Sequence, residues 1–230
     1  MTFPASRLTA ARAVAVLALI VGSSPASKGQ SAAPRGKVAL MNPADLKERA
    51  LDEYKVDFDT SQGPFVMAVH RTWAPIAADH FYNLVKRGFY DGNRFFRVLP
   101  GFVAQWGISG DPEITKVWKN SYILDDEWGK HSNKRGTVAF VSPGLGRRGT
   151  VVFVSLDDNS RMDDDVVPFG EIVSGLNVFE KLYAGYGDTA PAGNGPERNR
   201  YYAEGSAYLD KEFPELDYIK TATIEMASTR

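Results

Sequence analysis

One arginine and one glutamine sit where strongly polar side chains are unusual, inside the apolar stretch Phe95-Phe96-Arg97-Val98-Leu99-Pro100-Gly101-Phe102-Val103-Ala104-Gln105. The flanking residues read as two short strands joined by a Pro-Gly turn, and strand alternation puts Arg97 on the face of Phe95 and Leu99. A guanidinium there must either pair with a buried acid or line a cavity, because an uncompensated charge is not tolerated among apolar side chains. Other chemistries are poorly supplied. The chain has no Cys, which removes thiolate nucleophiles and thiolate metal sites, and its three histidines, His70, His80 and His131, are too widely spaced for a ligand motif. The run Gly144-Leu145-Gly146-Arg147-Arg148-Gly149 has the spacing of a dinucleotide fingerprint, yet the strand-like Val151–Val154 follows it where a helix is required. It reads better as a turn whose Arg147 and Arg148 meet acidic peptide segments. Asp157, Asp158, Asn159 and Asp163 to Asp165 lack the Gly and Glu of a calcium loop and read as a solvated acidic loop.

The elements that must position Arg97 and Gln105 are mostly short strands. Val56 and Phe58 alternate with polar residues, and Phe65, Met67 and Val69 do so again after Ser61-Gln62-Gly63, which is a hairpin pattern. Further strands are predicted at Arg94–Leu99, Phe102–Trp106, Gly136–Val141, Val151–Ser155, Phe169–Val173 and Tyr218–Met226. Pro75 opens a helix with Ile76, Phe81, Leu84 and Val85 on one face and Gly88 as its stop, and a second helix is predicted over Leu176–Tyr183. Asn42-Pro43-Ala44-Asp45 suggests a helix running to about Glu53, and a short helix is expected over Ala207–Phe213. This pattern argues for an antiparallel sandwich or barrel whose open ends the two main helices cover.

At these residues the sequence resembles the cyclophilin family of peptidyl-prolyl cis/trans isomerases. The family signature Phe-x-Arg-x-x-x-x-Phe-x-x-Gln is similar to Phe95–Gln105, with the first Phe one place further from Arg97. Ala74-Pro75 through Phe81-Tyr82-Asn83-Leu84, Gly136-Thr137-Val138-Ala139-Phe140, Val151-Val152-Phe153-Val154 and Val167-Pro168-Phe169-Gly170-Glu171-Ile172-Val173 resemble further family segments, in the family's order. The resemblance implies a mainly β fold, a closed eight-stranded antiparallel β-barrel capped by two α-helices. It implies isomerisation of X-Pro bonds with Arg97, Phe102 and Gln105 as the catalytic set. Val103, Val141, Ser142, Val151, Phe153, Met162 and Val166 would bind the substrate. No covalent nucleophile, cofactor or metal is implied. Well-studied members carry Gln where Val151 stands, Trp where Arg161 stands, His where Val166 stands and Asn where Ser142 stands. Arg161 is therefore expected to weaken binding of cyclosporin-type macrocycles. Compact members pass almost directly from the second helix to the last strand, so Gly185–Glu215 reads as an insertion, expected to lie outside the proline pocket.

Two rivals to turnover belong to other classes: a proline-peptide-binding holdase, suggested by Val151, Arg161 and Val166, and a barrel holding a small apolar ligand. Retention of both Arg97 and Gln105 favours the enzyme over the last.

The 230 residues, 43% hydrophobic, suit one ordinary domain, and a net charge of −1 gives no basic surface for nucleic acid. Arg7 and Arg12 precede the apolar run Ala13–Val21, and Ser24-Pro25-Ala26 supplies small residues, so residues 1–26 read as an export signal cleaved near Ala26. Nine apolar residues are too few to span a bilayer, and no cysteine follows for lipidation. The expectation is an exported bacterial protein of the periplasm or exterior, monomeric and without stable membrane insertion, acting on proline-containing segments of other exported proteins. Residues 27–41 would be a flexible leader and 42–230 the isomerase domain.

Overall fold

The computed structural model of the chain describes residues 1–2 and 35–225, so the expected export signal lies outside the described residues apart from Met1 and Thr2. In chain order the elements are α1 (Lys37–Leu40), β1 (Glu53–Thr60), β2 (Phe65–His70), α2 (Pro75–Arg87), β3 (Arg97–Leu99), β4 (Val103–Trp106) and α3 (Pro112–Trp118). They continue with β5 (Thr137–Phe140), β6 (Val152–Ser155), β7 (Pro168–Ser174), α4 (Arg198–Glu204), α5 (Ser206–Glu212) and β8 (Ile219–Ile224). The eight strands form one antiparallel sheet in the order β3-β4-β6-β5-β7-β2-β1-β8.

This is the mainly β, eight-stranded architecture expected, with a correction at the seam. No ladder joins β3 to β8. The two ends of the sheet approach through a lone Arg94–Tyr218 bridge, flanked by bonds from Phe95 N–H to Asp217 O and from Ile219 N–H to Asn93 O, both 2.9 Å. The strand expected from Arg94 therefore begins only at Arg97. Phe95 turns into the core while Arg97 faces outward, so the two do not share a face.

Alternation explains the interior. In β1 every second residue is buried, and in β2 to β7 the inward residues Met67, Val98, Ala104, Trp106, Val138, Phe140, Val152, Val154 and Phe169 enter one core. Helix α2 covers it by packing Phe81 against the stacked pair Phe140 and Phe169. Its limits follow the sequence: Pro75 stands at the first position, and Gly88, at φ 80°, returns its N–H to Leu84 O and Val85 O. Ala74 cannot cap the helix, and a distant carboxylate does so. Asp126 accepts from Ile76 N–H at 2.8 Å and Ala77 N–H at 3.0 Å, while Arg148 Nη1 donates to the same side chain at 2.9 Å. Arg148 is 3% exposed and is not the peptide-facing cation expected of it.

Three further expectations are corrected. Beyond the single 3₁₀ turn Pro43–Asp45 no helix reaches Glu53, because Asn83 Oδ1 takes Glu48 N–H and Asp79 Oδ1 takes Ala50 N–H, partners that a helix would otherwise supply. The second helix is also absent. Leu176–Val178 is a 3₁₀ turn continued by i to i+3 bonds, and this tight winding seats Phe179 against Phe65 at 4.8 Å between ring centres. Of the flexible leader expected over 27–41, the described part is docked: Leu40 is buried, its carbonyl accepts from Trp118 Nε1 at 2.7 Å, and Arg35 bonds Asp91. The sequence reading missed α3, although Asp111-Pro112-Glu113 carries a start signal; Asp111 caps it by accepting from Glu113 N–H. It also missed α4.

Asp126→Ala removes the remote cap of α2 and leaves the buried Arg148 with Asp125 as its acid and the Leu124 carbonyl as its other partner. Urea denaturation should show a loss of about 3 kcal/mol or more, against less than about 0.5 kcal/mol for an exposed control such as Asp57→Ala.

Candidate functional site

With the interior filled, the outer face of β3, β4, β6 and β5 carries the polar residues. The register aligns Arg97 with Gln105, Gln105 with Phe153, and Phe153 with Ala139, one row across four strands. Residues opposite one another share a face, so the row presents a guanidinium, an amide, an aromatic ring and a methyl group side by side. Beside it Val103, Ala139, Phe153 and Val166 form a buried apolar cluster separate from the core, with Phe102, Val141 and Met162 packed on it and half-buried. Gln105 makes no side-chain hydrogen bond among the described residues, although it is only 9% exposed.

Each wall of this cluster has its own anchor. Gly101, at φ 71° after Pro100, makes the turn from β3 to β4 and delivers Phe102, whose N–H bonds Leu99 O. The Phe102 carbonyl accepts from Leu156 N–H and from Asn159 Nδ2. The segment carrying Met162 and Val166 is tied to the strand-free stretch before β5: Asp163 accepts from Ser132 Oγ at 2.6 Å, Asn133 N–H at 2.8 Å and Asn133 Nδ2 at 2.9 Å, and Asn133 Nδ2 also reaches Val166 O. Asp163 is thus a structural anchor and not part of a solvated loop; Asp158 pairs with Lys134 in the open. Burial works to raise the Asp163 carboxyl, and the Ser132 and Asn133 hydrogen bonds outweigh it, leaving it below the ordinary aspartate range.

Two guanidinium groups flank the Phe102 ring, Arg161 at 5.0 Å and Arg97 at 5.7 Å from its centre. Arg97 both borders the cluster and pairs with an acid. Asp188 Oδ1 accepts from its Nε at 2.7 Å and Asp188 Oδ2 from its Nη2 at 2.8 Å. Nη1 makes no hydrogen bond among the described residues. The acid comes from the segment Gly185–Glu215, which contributes no residue to the apolar cluster but reaches the candidate arginine beside it. Its Tyr201, Tyr208 and Leu209 pack with Phe96 and Ile108 in a third apolar cluster, which Val151 also touches. Sequence reading missed Asp188, since nothing in its neighbourhood marks a distant arginine as its partner.

The substrate-binding residues expected from the sequence fall into two groups. Val103, Phe153, Met162 and Val166 meet in the cluster beside Arg97 and Gln105. Val151 instead lines an adjacent cavity of about 120 Å³, with Tyr122, Pro143 and Tyr202, and Val141 borders both. Ser142 bonds Gly144 O within its own loop. Among the described residues no three His, Asp or Glu side chains gather as a metal site.

Because the Asp163 carboxyl is depressed, its contribution to stability is complete at neutral pH, persists down to about the ordinary value, and is lost as pH falls through the lower value of the folded chain. Asp163→Asn should flatten that acid limb. At pH 7 it should cost roughly 2 kcal/mol in urea denaturation, with Met162 and Val166 loosened from the cluster.

The family model described as cyclophilin type peptidyl-prolyl cis-trans isomerase/CLD matches residues 55–199, more than half of the chain. The peptidyl-prolyl cis-trans isomerase ppi1 of Schizosaccharomyces pombe is 32% identical over 132 residues, 55% of this chain and 83% of that protein. A peptidyl-prolyl cis-trans isomerase of Helicobacter pylori is 32% identical over 130 residues, 55% of this chain and 78% of that protein. Among solved structures, a cyclophilin type peptidyl-prolyl cis-trans isomerase of Cryptosporidium parvum aligns with a TM-score of 0.57 at 19% identity, covering 76% of this chain and 98% of that one. The same protein, solved in the presence of the dipeptide Ala-Pro, gives 0.56 at 19% identity over 75% and 99%. In the fold, in the signature around Arg97 and over the matched residues, the chain belongs to the cyclophilin-type peptidyl-prolyl cis-trans isomerase family.

Proposed function

We infer that the chain is a peptidyl-prolyl cis/trans isomerase that accelerates rotation about X-Pro bonds in exported polypeptides. The observation that carries this reading is the single row Arg97, Gln105 and Phe153 beside the apolar cluster of Val103, Phe153, Met162 and Val166. The related structure obtained in the presence of Ala-Pro supports a proline-containing segment as the ligand class.

A prolyl amide resists rotation by about 18–20 kcal/mol because the nitrogen lone pair is delocalised into the carbonyl. At the twisted transition state the nitrogen is pyramidal and the lone pair is its own. In the proposed arrangement the pyrrolidine ring lies against Phe102, Val103, Phe153, Met162 and Val166. Gln105, whose side-chain amide bonds none of the described residues, holds the substrate backbone, and Arg97 Nη1, which likewise bonds none of them, donates toward the prolyl nitrogen. Arg97 meets this lone pair only when the amide is twisted, so the interaction lowers the barrier without tightening either planar isomer equally. Reducing tens of seconds to milliseconds needs about four decades, roughly 5.5 kcal/mol. No bond is broken, and the reading requires no metal or cofactor.

Export rests on residues 1–26 alone. The charged residues Arg7 and Arg12, the apolar run Ala13–Val21 and the small residues before Ser27 support removal of the N-terminus near Ala26. Intact mass of the protein recovered from the periplasm or medium should correspond to a start near Ser27; a chain still beginning at Met1 would overturn it.

Arg97→Ala should lower turnover at least about a hundredfold, roughly 2.7 kcal/mol, with a much smaller change in peptide binding. Phe153→Ala should weaken binding and turnover together by emptying the apolar cluster. A proline-limited refolding assay beside a peptide titration distinguishes the two patterns. Full turnover by Arg97→Ala would sink the assignment.

A further inference from the structure

We propose that Asp188, contributed by the segment between the common fold and its last strand, is a positioning residue that fixes the Arg97 guanidinium for isomerisation; this rests on the role of Arg97 above. Arg97 stands on β3, a three-residue strand whose ladder partner is β4 alone, so no strand on its other side restrains the side chain. Left alone, a long side chain on a sheet edge samples several rotamers, and a donor that must meet one lone pair loses effectiveness with that freedom. The bidentate pair with Asp188 removes it, because two parallel N–H···O bonds at 2.7 and 2.8 Å set both the direction and the plane of the guanidinium. The pair engages Nε and Nη2 and leaves Nη1 for the substrate.

The carboxylate is itself held. Asp188 Oδ1 also accepts from Thr189 N–H at 2.7 Å, and its carbonyl accepts from Gly195 N–H at 2.7 Å. A Cβ at Gly193 or Gly195 would come within 2.5 or 2.7 Å of that carbonyl oxygen, so both positions admit only glycine in this packing. The loop 188–195 is closed again by bonds from Gly193 N–H to Thr189 O and from Ala190 N–H to Gly195 O. Behind it, α4 and α5 are fastened to the sheet through Tyr201, whose hydroxyl donates to Ile108 O, and through the apolar cluster with Phe96. A rigid chain of contacts therefore runs from the body of the domain to the arginine. Hydrogen bonding from Arg97 is the leading cause that keeps the Asp188 carboxyl below the usual carboxylate range, so it is charged at neutral pH.

The test is a double-mutant cycle on the full chain, with isomerase rates measured at enzyme concentrations high enough to quantify the slow variants. Asp188→Ala should lower kcat/KM for a prolyl peptide about tenfold, mostly in kcat, with peptide affinity changed less than about twofold. In the Arg97→Ala background the same substitution should change the rate less than about twofold, because its effect passes through the guanidinium. Asp188→Asn, which keeps the size and the contact to Thr189, should fold with an unchanged melting temperature. It should still lose the slow solvent exchange of the Arg97 Nη2–H in nitrogen-15 NMR spectra, because the amide nitrogen takes the place of Oδ2, the acceptor of that bond. An equal loss in both backgrounds would assign Asp188 to the fold instead. An unchanged or increased rate on Asp188→Ala would make it a spectator or a block on the site, and either result overturns the proposal. If Arg97→Ala alone retains full turnover, the parent reading fails first and this one with it.

Discussion

Trp106 lies fully buried inside the curled sheet, with the rings of Phe58, Phe65, Phe95 and Phe179 at 5.6 to 6.4 Å from it, and these contacts decide where a ligand can go. A second aromatic group around Phe81 takes up the space beneath α2. Such packing fills the space around Trp106 and Phe81 with aromatic rings, which speaks against a barrel that carries a small apolar ligand there. The candidate groups stand on the outer face, and the pleat sends them there. Val98, Ala104, Val152 and Val154 go in, so Arg97, Val103, Gln105 and Phe153 go out. Register then turns four separate strands into one row, which no single strand could present.

An outer-face site has a difficulty that an interior cavity does not, since its walls must be built from loops. Here buried polar side chains hold them. Asn133, fully buried, ties the Met162–Val166 segment through Asp163, and Asn159 holds the Phe102 carbonyl. Such groups contribute by satisfying backbone that would otherwise be orphaned, and breaking one leaves its partner unsatisfied. The same economy appears at α2, where one carboxylate, Asp126, caps a helix and neutralises Arg148. The loops are thus as determined as the strands, although they belong to no regular element.

The segment after Tyr183 gives this chain a feature that a bare sheet would lack. Its helices cover the outer surface next to the site, with Phe96, Ile108, Tyr201 and Tyr208 in one cluster, and its first loop reaches the edge strand that carries Arg97. The guanidinium thereby meets both demands that a buried cation makes, an acid for its charge and an open side toward the ligand. Arg161, 5.0 Å from the centre of the Phe102 ring, adds a second positive charge beside it.

By itself the sequence determined the strands, α2 and the cluster of candidate residues, because those depend on local period: alternation at Val56 and Phe58, the Pro75 and Gly88 limits, and an Arg and a Gln eight residues apart across a Pro-Gly turn. Its resemblance at Phe95–Gln105 pointed to the candidate residues and to the family. It misjudged Asn42–Glu53 and Leu176–Tyr183, where local helix signals lost to distant partners for the backbone, Asn83 and Asp79 in one case and the fit of Phe179 against Phe65 in the other. Tertiary structure alone decided the pairs Arg97–Asp188, Arg148–Asp126 and Asn133–Asp163, the open seam between β3 and β8, and the inward turn of Phe95. A hydrogen bond between residues 91 positions apart leaves no trace in either neighbourhood, since each side chain is ordinary where it stands and only the folded backbone brings the donor to its acceptor.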